Sequence, residues 1–298
     1  MAESTAGPAP IAERTGPGPG GGVREAVRAP HPLAQRRILL PLLALLFLVH
    51  LPFLHLLLRG SAEVTAAVPF ADSFNRATLG NDWWSNGGLW RIVNGELYSP
   101  GVGNNPLWLK ARLPHDVRIE FDVRSDAPDG DVKWEAFGDG RNHASGYVFV
   151  FGGWHNRESR IAKLDEHALT EQEMRAQLAL LARPYPSHAE GIAGLWDLLY
   201  GAWQRFRARA GLEQMQKGSF YGEGTPVVVK RADLRVERNR VYRVRLTRKG
   251  DLLRWENDGQ LVLELRDRAG LSGTGHDRFG FSSWQNDTWF DNLKIEPL

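Results

Sequence analysis

Two groups of residues in this sequence have the types and spacing for chemistry. The first is Asp131-Val132-Lys133-Trp134-Glu135 with Asp139, which falls on one predicted strand and its turn. Gly152-Gly153-Trp154-His155-Asn156-Arg157 and Lys163-Leu164-Asp165-Glu166-His167 follow the next strand. Pairing of these strands would gather Lys133, Glu135, Trp154, His155, Asn156, Asp165, Glu166 and His167 at one rim. In that set Glu135, Glu166 and His155 are the candidate acids and bases, because carboxyl and imidazole groups exchange protons near neutral pH. Lys133, Asn156, Asp165 and His167 are the candidate hydrogen-bonding groups, with Trp154 and Trp284 as flat faces. Pyranose rings stack their C–H faces on such indoles while polar side chains bond the hydroxyls. The plainer alternative is a rim of charged loop residues with Trp154 plugging the core.

The second group is Trp284, Asn286, His276 and Asp277, which would face the same cleft if the closing strands bring it there. His155 and His167 have no zinc-type spacing. Asn286-Asp287-Thr288 matches a glycosylation sequon, a common chance match.

The chain that positions these groups has 298 residues, a formal net charge of +2 and no cysteine. Disulfides, thiolate metal sites and cysteine nucleophiles are thereby excluded. The near-neutral balance lacks the clustered basic face of a nucleic-acid binder, so no nucleic acid is expected as a partner. The 11 tryptophans suit a sandwich core and a sugar platform equally.

From Phe70 onward the texture is short alternating runs separated by Gly, Asn, Asp and Pro. Val117, Ile119, Phe121 and Val123 alternate with Arg118, Glu120, Asp122 and Arg124, the period of a half-buried strand. Val132, Trp134 and Ala136 alternate with Lys133 and Glu135, and Tyr147 to Phe151 is apolar throughout, as in a central strand. Asn257-Asp258-Gly259 between two apolar runs signals a hairpin, since Asn and Gly accept positive φ. Phe279 to Ser283 and Trp289 to Ile295 supply closing strands. Many short strands and little helix predict an all-β, two-sheet antiparallel jelly-roll sandwich over 71–298.

A helical hairpin at 165–217 interrupts it. Thr170 and Glu173 form a capping box, after which Met174, Leu178 and Leu181 share a face. Pro184 and Pro186 end that helix, and Ser187 with Glu190 would cap a second bearing Leu195, Leu199, Trp203 and Phe206, with Arg205, Arg207 and Arg209 on its other face. The plain expectation packs this stripe on the sandwich. The alternatives are a surface resting on anionic lipid, or a lid.

Ahead of the sandwich, 1–37 is rich in Gly, Pro, Ala and Arg and reads as a disordered cytoplasmic arm. Ile38 to Leu58 carries no formal charge and is long enough to cross ~30 Å of hydrocarbon as one N-terminal transmembrane helix, followed by a 59–70 linker. Arg24, Arg28, Arg36 and Arg37 precede it and only Arg59 follows closely. The arm is therefore expected inside and the large domain outside, in the periplasm, with the lipid bilayer as a partner. A cleaved signal peptide with Thr65-Ala66-Ala67 as its site is the rival, although such apolar regions are usually ~7–15 residues.

The opening Asp72-Ser73-Phe74, Leu79-Gly80-Asn81-Asp82-Trp83 and Trp90-Arg91-Ile92-Val93-Asn94-Gly95-Glu96-Leu97 resemble the start of concanavalin A-like jelly rolls. Phe279-Gly280-Phe281 and Phe290-Asp291-Asn292-Leu293-Lys294-Ile295 resemble their last strands. These features are similar to the sugar-associated domains of the lectin and glucanase superfamily, of the 3-keto-disaccharide-hydrolase-like and laminarinase-like kinds. The resemblance covers roughly 71–160 and 233–298, and it implies carbohydrate as a partner. Retaining members carry Glu-x-Asp-x-x-Glu on one strand. Here Glu120-Phe121-Asp122 supplies the first two letters and Ser125 stands in the third place, so the motif fails. The resemblance also implies a calcium ion, with Asp72 and Asp291 as carboxylates. Three functions follow as expectations. A carbohydrate-binding domain comes first, then a sugar hydrolase or lyase, then an interaction scaffold working through the helical hairpin.

Overall fold

The computed structural model describes residues 36–58, 63–183, 191–216 and 224–298. Residues 1–35 of the expected disordered arm (1–37), part of the linker (59–62) and the turn with Pro184, Pro186, Ser187 and Glu190 lie outside the described residues, while Arg36 and Arg37 of the arm open a helix. The chain divides into two units, Met1–Leu57 and Leu58–Leu298.

The first unit holds helix α1 (Arg36–Leu58), with Pro41 and Pro52 inside it. Its side chains are described over 38–54. Among the described residues no helix is long and apolar enough to cross a membrane.

The second unit is an antiparallel sandwich. Its strands are β1 (Phe70–Asp72), β2 (Trp83–Ser85), β3 (Arg91–Val93), β4 (Glu96–Ser99), β5 (Leu107–Leu109), β6 (Val117–Ser125), β7 (Val132–Gly138) and β8 (Tyr147–Gly152). Then follow β9 (Glu158–Lys163), helix α2 (Glu171–Leu181), helix α3 (Gly191–Gln216) and β10 (Val227–Arg231). The chain closes with β11 (Tyr242–Lys249), β12 (Leu252–Asn257), β13 (Gln260–Arg266), β14 (Arg278–Ser283) and β15 (Thr288–Pro297). One sheet runs β13-β12-β11-β6-β15-β4-β3 with β1 paired to β15, and the other runs β10-β9-β8-β7-β14-β5-β2. The chain lays a meander in one sheet (β7 to β10), another in the facing sheet (β11 to β13), then returns β14 beside β7 and β15 beside β6.

Side-chain period explains the layers. Along β6 every second residue, from Val117 to Ser125, is buried and the intervening ones are half-exposed. Glu120 and Asp122 therefore face water, where Arg245 lies 2.5 Å from Glu120 and Arg243 lies 3.0 Å from Asp122. That is an ion-pair ladder on a solvated face, away from the second sheet. The β12–β13 hairpin turns at Asp258 and Gly259, φ 51° and 78°, as the Asn-Asp-Gly signal predicts. The core between the sheets is aromatic. Trp134 stacks on Phe149 at 5.6 Å and meets Trp255 edge-on at 4.9 Å, while Phe281 contacts Phe290 at 4.3 Å. Such pairs add about 0.5–1.5 kcal/mol each beyond area burial.

The second sheet departs from simple alternation. Every residue of β7, β8 and β14 is buried, including Lys133 and Glu135. A half-buried β7 was the expectation. Its second face is instead roofed by loops, so the charged residues of that strand lie inside the protein.

The helical insertion joins β9 to its edge neighbour β10. Thr170 caps α2 as expected, accepting from the Glu173 amide while Glu173 reaches back. The apolar stripe of α3 does not pack on the sandwich. Leu195, Leu199, Trp203 and Phe206 are all more than half exposed. The helix instead seats its small-residue side on α2, where Leu178 lies 3.2 Å from the place a Cβ on Gly211 would take.

Candidate functional site

Register alone assembles the floor of the site on the outer face of the second sheet. Across it Ser282 pairs with Lys133, Lys133 with Val150, and Val150 with Arg160. One step along, Trp108 pairs with Gly280, Gly280 with Glu135, and Glu135 with Val148. Lysine, arginine and glutamate thus stand among Val148, Val150, Ala162 and Trp108, where an unpaired charge would cost several kcal/mol. Each has a partner.

The rim begins at Gly152, where β8 ends in a left-handed turn. Gly152, Trp154, His155 and Asn156 all have positive φ, 67°, 53°, 60° and 59°. For residues with a Cβ this costs on the order of 1 kcal/mol each. A Cβ at Gly152 itself would meet Asn156 Oδ1 at 2.5 Å, so glycine is required there. The turn is held by the Asn156 amide, which donates to the carbonyls of Pro128 (3.2 Å) and Val236 (2.8 Å) and accepts from the Val236 amide (2.8 Å). Its effect is to set Trp154 edge-on to His167, centroids 5.7 Å apart, with the Arg160 guanidinium 3.7 Å from the indole centroid. Across the opening stands Trp284, just after β14, with Lys133 Nζ 5.8 Å from its ring centroid. Between them lies an open cleft of about 390 Å³, whose lining includes Asn104, Asp129, Asp131, Lys133, His155, Glu166, Gln285 and Asn286.

The electrostatics centre on Lys133. Its Nζ is 3.1 Å from Glu166 and 3.6 Å from Asp131, and it donates to Asn104 Oδ1 at 3.2 Å. Asn104 in turn donates to Glu166 Oε1 at 3.2 Å. Behind Glu166, His143 approaches it at 3.6 Å through Nε2 and meets Glu135 at 2.6 Å through Nδ1. The Ala144 amide donates to the other Glu135 oxygen at 2.9 Å. Burial works against charge on His143, but hydrogen bonds and attraction from Glu135 and Glu166 outweigh it and lift its pKa to about 9. Burial likewise opposes ionisation of Glu166, yet His143 and Lys133 pull it down to about 2. Asp131 moves the other way, because burial and the Glu166 charge outweigh Lys133. Glu135 is also raised, by complete burial. The cleft therefore presents two carboxyls shifted in opposite directions, Glu166 down and Asp131 up, on two sides of Lys133.

Of the residues singled out in the sequence, Lys133, Trp154, His155, Glu166, His167 and Trp284 come together at this cleft. Glu135 does not reach it: the carboxyl is fully buried behind His143. Asn156 is consumed in clamping its own turn. Asp165 points to solvent, with Oδ1 accepting from the His167 amide at 2.8 Å. Asn286 and Trp284 line the cleft, whereas Asp277 turns to Arg278 and Arg112, 3.2 and 3.6 Å away. His143, Asn104 and Arg160 escaped sequence reading. A signal for His143 existed, since a glutamate facing the covered side of a buried strand needs a cationic partner.

The calcium expectation does not fit the residues. Both Asp72 oxygens accept from Arg76, and the carboxylate also receives the Phe74 amide and the Trp83 indole, each at 2.9 Å. Burial opposes its charge, but Arg76 and Trp83 hold its pKa below the usual carboxylate range. The Arg76 guanidinium already pairs with both oxygens of this carboxylate. Asp291 accepts from the Asn292 amide at 2.7 Å. Among the described residues no three His, Cys, Asp or Glu side chains converge to hold a metal.

The fold and cleft define an antiparallel sandwich with a polar, aromatic-rimmed groove on one sheet. No family model matches the chain, and no curated protein matches it. Among solved structures it is similar to a carbohydrate-binding module from Bacillus subtilis, at 13% identity over 74% of this chain and 96% of that one, TM-score 0.44. It is also similar to a protein of unknown function with a galectin-like fold from Bacillus subtilis (11% identity, 80% and 98% covered, TM-score 0.42). A third is a GH43 protein from Bacillus licheniformis (9% identity, 79% and 40% covered, TM-score 0.45). None of these likenesses carries a ligand or activity to this chain.

Proposed function

We propose that this protein binds carbohydrate in the cleft between Trp154 and Trp284 and displays that cleft on the outer side of a membrane. The observation that carries the reading is that Trp154 and Trp284, each with exposed surface, line one cleft over a fixed polar floor of Lys133, Asn104 and Glu166. Indoles take the C–H face of a sugar ring, and the floor groups supply one cationic donor, one amide and one carboxylate to its hydroxyls. The strained turn that aims Trp154 supports the same reading, because strain of this kind concentrates at working sites. The display side is argued from the charge-free 38–58 run and the arginines before it, which favour retention of the short arm inside.

A second reading is favoured by one specific observation. Asp131 is raised and Glu166 lowered within the same cleft, and carboxyls driven apart in this way can divide acid and nucleophile or base roles between them. In a glycan hydrolase or lyase built on this site, Asp131 would protonate the leaving oxygen and Glu166 would attack or deprotonate.

A glycan array probed with the full chain in a non-glycosidic detergent tests both readings, with Trp154→Ala and Glu166→Gln beside it. Binding lost in the tryptophan variant, with no product released by wild type, supports the binding domain. Product release abolished by Glu166→Gln supports the enzyme. Silence across the array contradicts both.

A further inference from the structure

We infer that helix α3 is a membrane-surface helix, its outward face lying in the headgroup layer of an anionic bilayer. At 3.6 residues per turn, Leu195, Leu199, Ala202, Trp203 and Phe206 fall on one face. The opposite face carries Gly201, Ala208, Gly211 and Met215. Ala208 and Met215 are buried, and Gly211 meets Leu178 of α2. The helix is therefore already seated by its small-residue side, and the large apolar side is the one left facing out. Leu195, Trp196, Leu198, Leu199, Tyr200, Trp203 and Phe206 are each 53–67% exposed, and Trp203 stacks on Phe206 at 5.8 Å. A soluble monomer seldom carries so many large apolar side chains side by side in water.

Charge and ring chemistry select the occupant. The helix has three arginines, at 205, 207 and 209, against two acids, Asp197 and Glu213, one on either side of them in the sequence. Helical geometry puts Arg207 on one flank of the apolar face and Arg205 and Arg209 on the other. Cations along both edges of an apolar face let the face sink into the acyl boundary while the guanidiniums stay level with lipid phosphates. Trp196, Tyr200 and Trp203 are the ring types that favour this depth, apolar in body and polar at one edge. A protein groove would match the apolar face but gives no reason for arginines along both margins.

The absence of cysteine allows a direct test. Single spin labels are placed on the full chain at Leu199→Cys and Phe206→Cys, with Ser272→Cys on an exposed sandwich loop as control. Each is reconstituted into phosphatidylcholine vesicles with or without phosphatidylglycerol. With phosphatidylglycerol, positions 199 and 206 should become several-fold more accessible to oxygen relative to a water-soluble nickel chelate, and position 272 should not change. Arg205→Gln, Arg207→Gln and Arg209→Gln together should abolish that rise. Labels at 199 and 206 that stay water-accessible overturn the inference, as does a chain that fails to float with the vesicles. Shelter already present in detergent, with spin–spin broadening, overturns it in favour of a second copy.

Discussion

At the residue scale His143 is a small group that reconciles two buried carboxylates, Glu135 and Glu166. Its pKa is raised from 6.5 to about 9, so its stabilising effect is complete below pH 6.5 and is lost as pH rises toward 9. Glu166, lowered from 4.5 to about 2, contributes fully above pH 4.5 and loses its effect as pH falls toward 2. From these two groups, wild-type stability in urea titrations should hold near pH 5–6 and decline by about 2–3 kcal/mol by pH 9. His143→Gln should be less stable by roughly 3 kcal/mol at pH 6, because Glu135 loses its charged partner, and should show little of that alkaline decline. A variant with the wild-type pH profile would contradict the assignment. The proposed sugar contact is testable at the same scale. Trp284→Ala should weaken the best glycan about tenfold, some 1.4 kcal/mol, without altering the urea midpoint.

At the element scale the left-handed turn at 152–156 sets a conformational cost against the proposed sugar contact of Trp154. His155→Gly removes a Cβ from a positive-φ site on an exposed residue and should raise stability by about 0.5–1 kcal/mol. It should also lower glycan affinity by loosening Trp154. Asn156→Ala should cost about 2–3 kcal/mol through three lost hydrogen bonds and should abolish binding with Trp154 still in place. Unchanged binding in Asn156→Ala would contradict the role given to the turn. The strands themselves were legible from their period of two, as Val117 to Val123 illustrates, because local burial alone dictates that pattern. The turn was not, since nothing in Gly-Gly-Trp-His-Asn distinguishes three successive left-handed residues until Val236, far along the chain, supplies the bonds that hold them. From sequence alone Asn156 therefore looks like a ligand contact. Glu135 was misplaced for a similar reason. Alternation says which face a side chain takes, but not that loops cover that face. The orientation of α3 was missed too, because its glycines and alanines look less sticky than its leucines yet pack against α2.

At the scale of the whole molecule, an antiparallel sandwich and an apolar N-terminal segment occupy one chain. The proposed anchor predicts that the full chain sediments with membranes, resists extraction by high salt or alkaline carbonate, and is released by detergent. Deletion of 38–58 should free it from carbonate-resistant association. Recovery of the full chain in the soluble fraction would contradict the anchor and leave the cleft reading intact.

The central claim is that sugar sits between Trp154 and Trp284 over the Lys133 floor. The most direct measurement is calorimetric titration of the strongest array glycan into wild type, each single tryptophan variant and Lys133→Met. Saturable binding by wild type and a roughly tenfold or greater loss in each variant are expected, with folding retained in the tryptophan pair. Equal affinity in wild type and both tryptophan variants would contradict it and place the ligand elsewhere on the molecule.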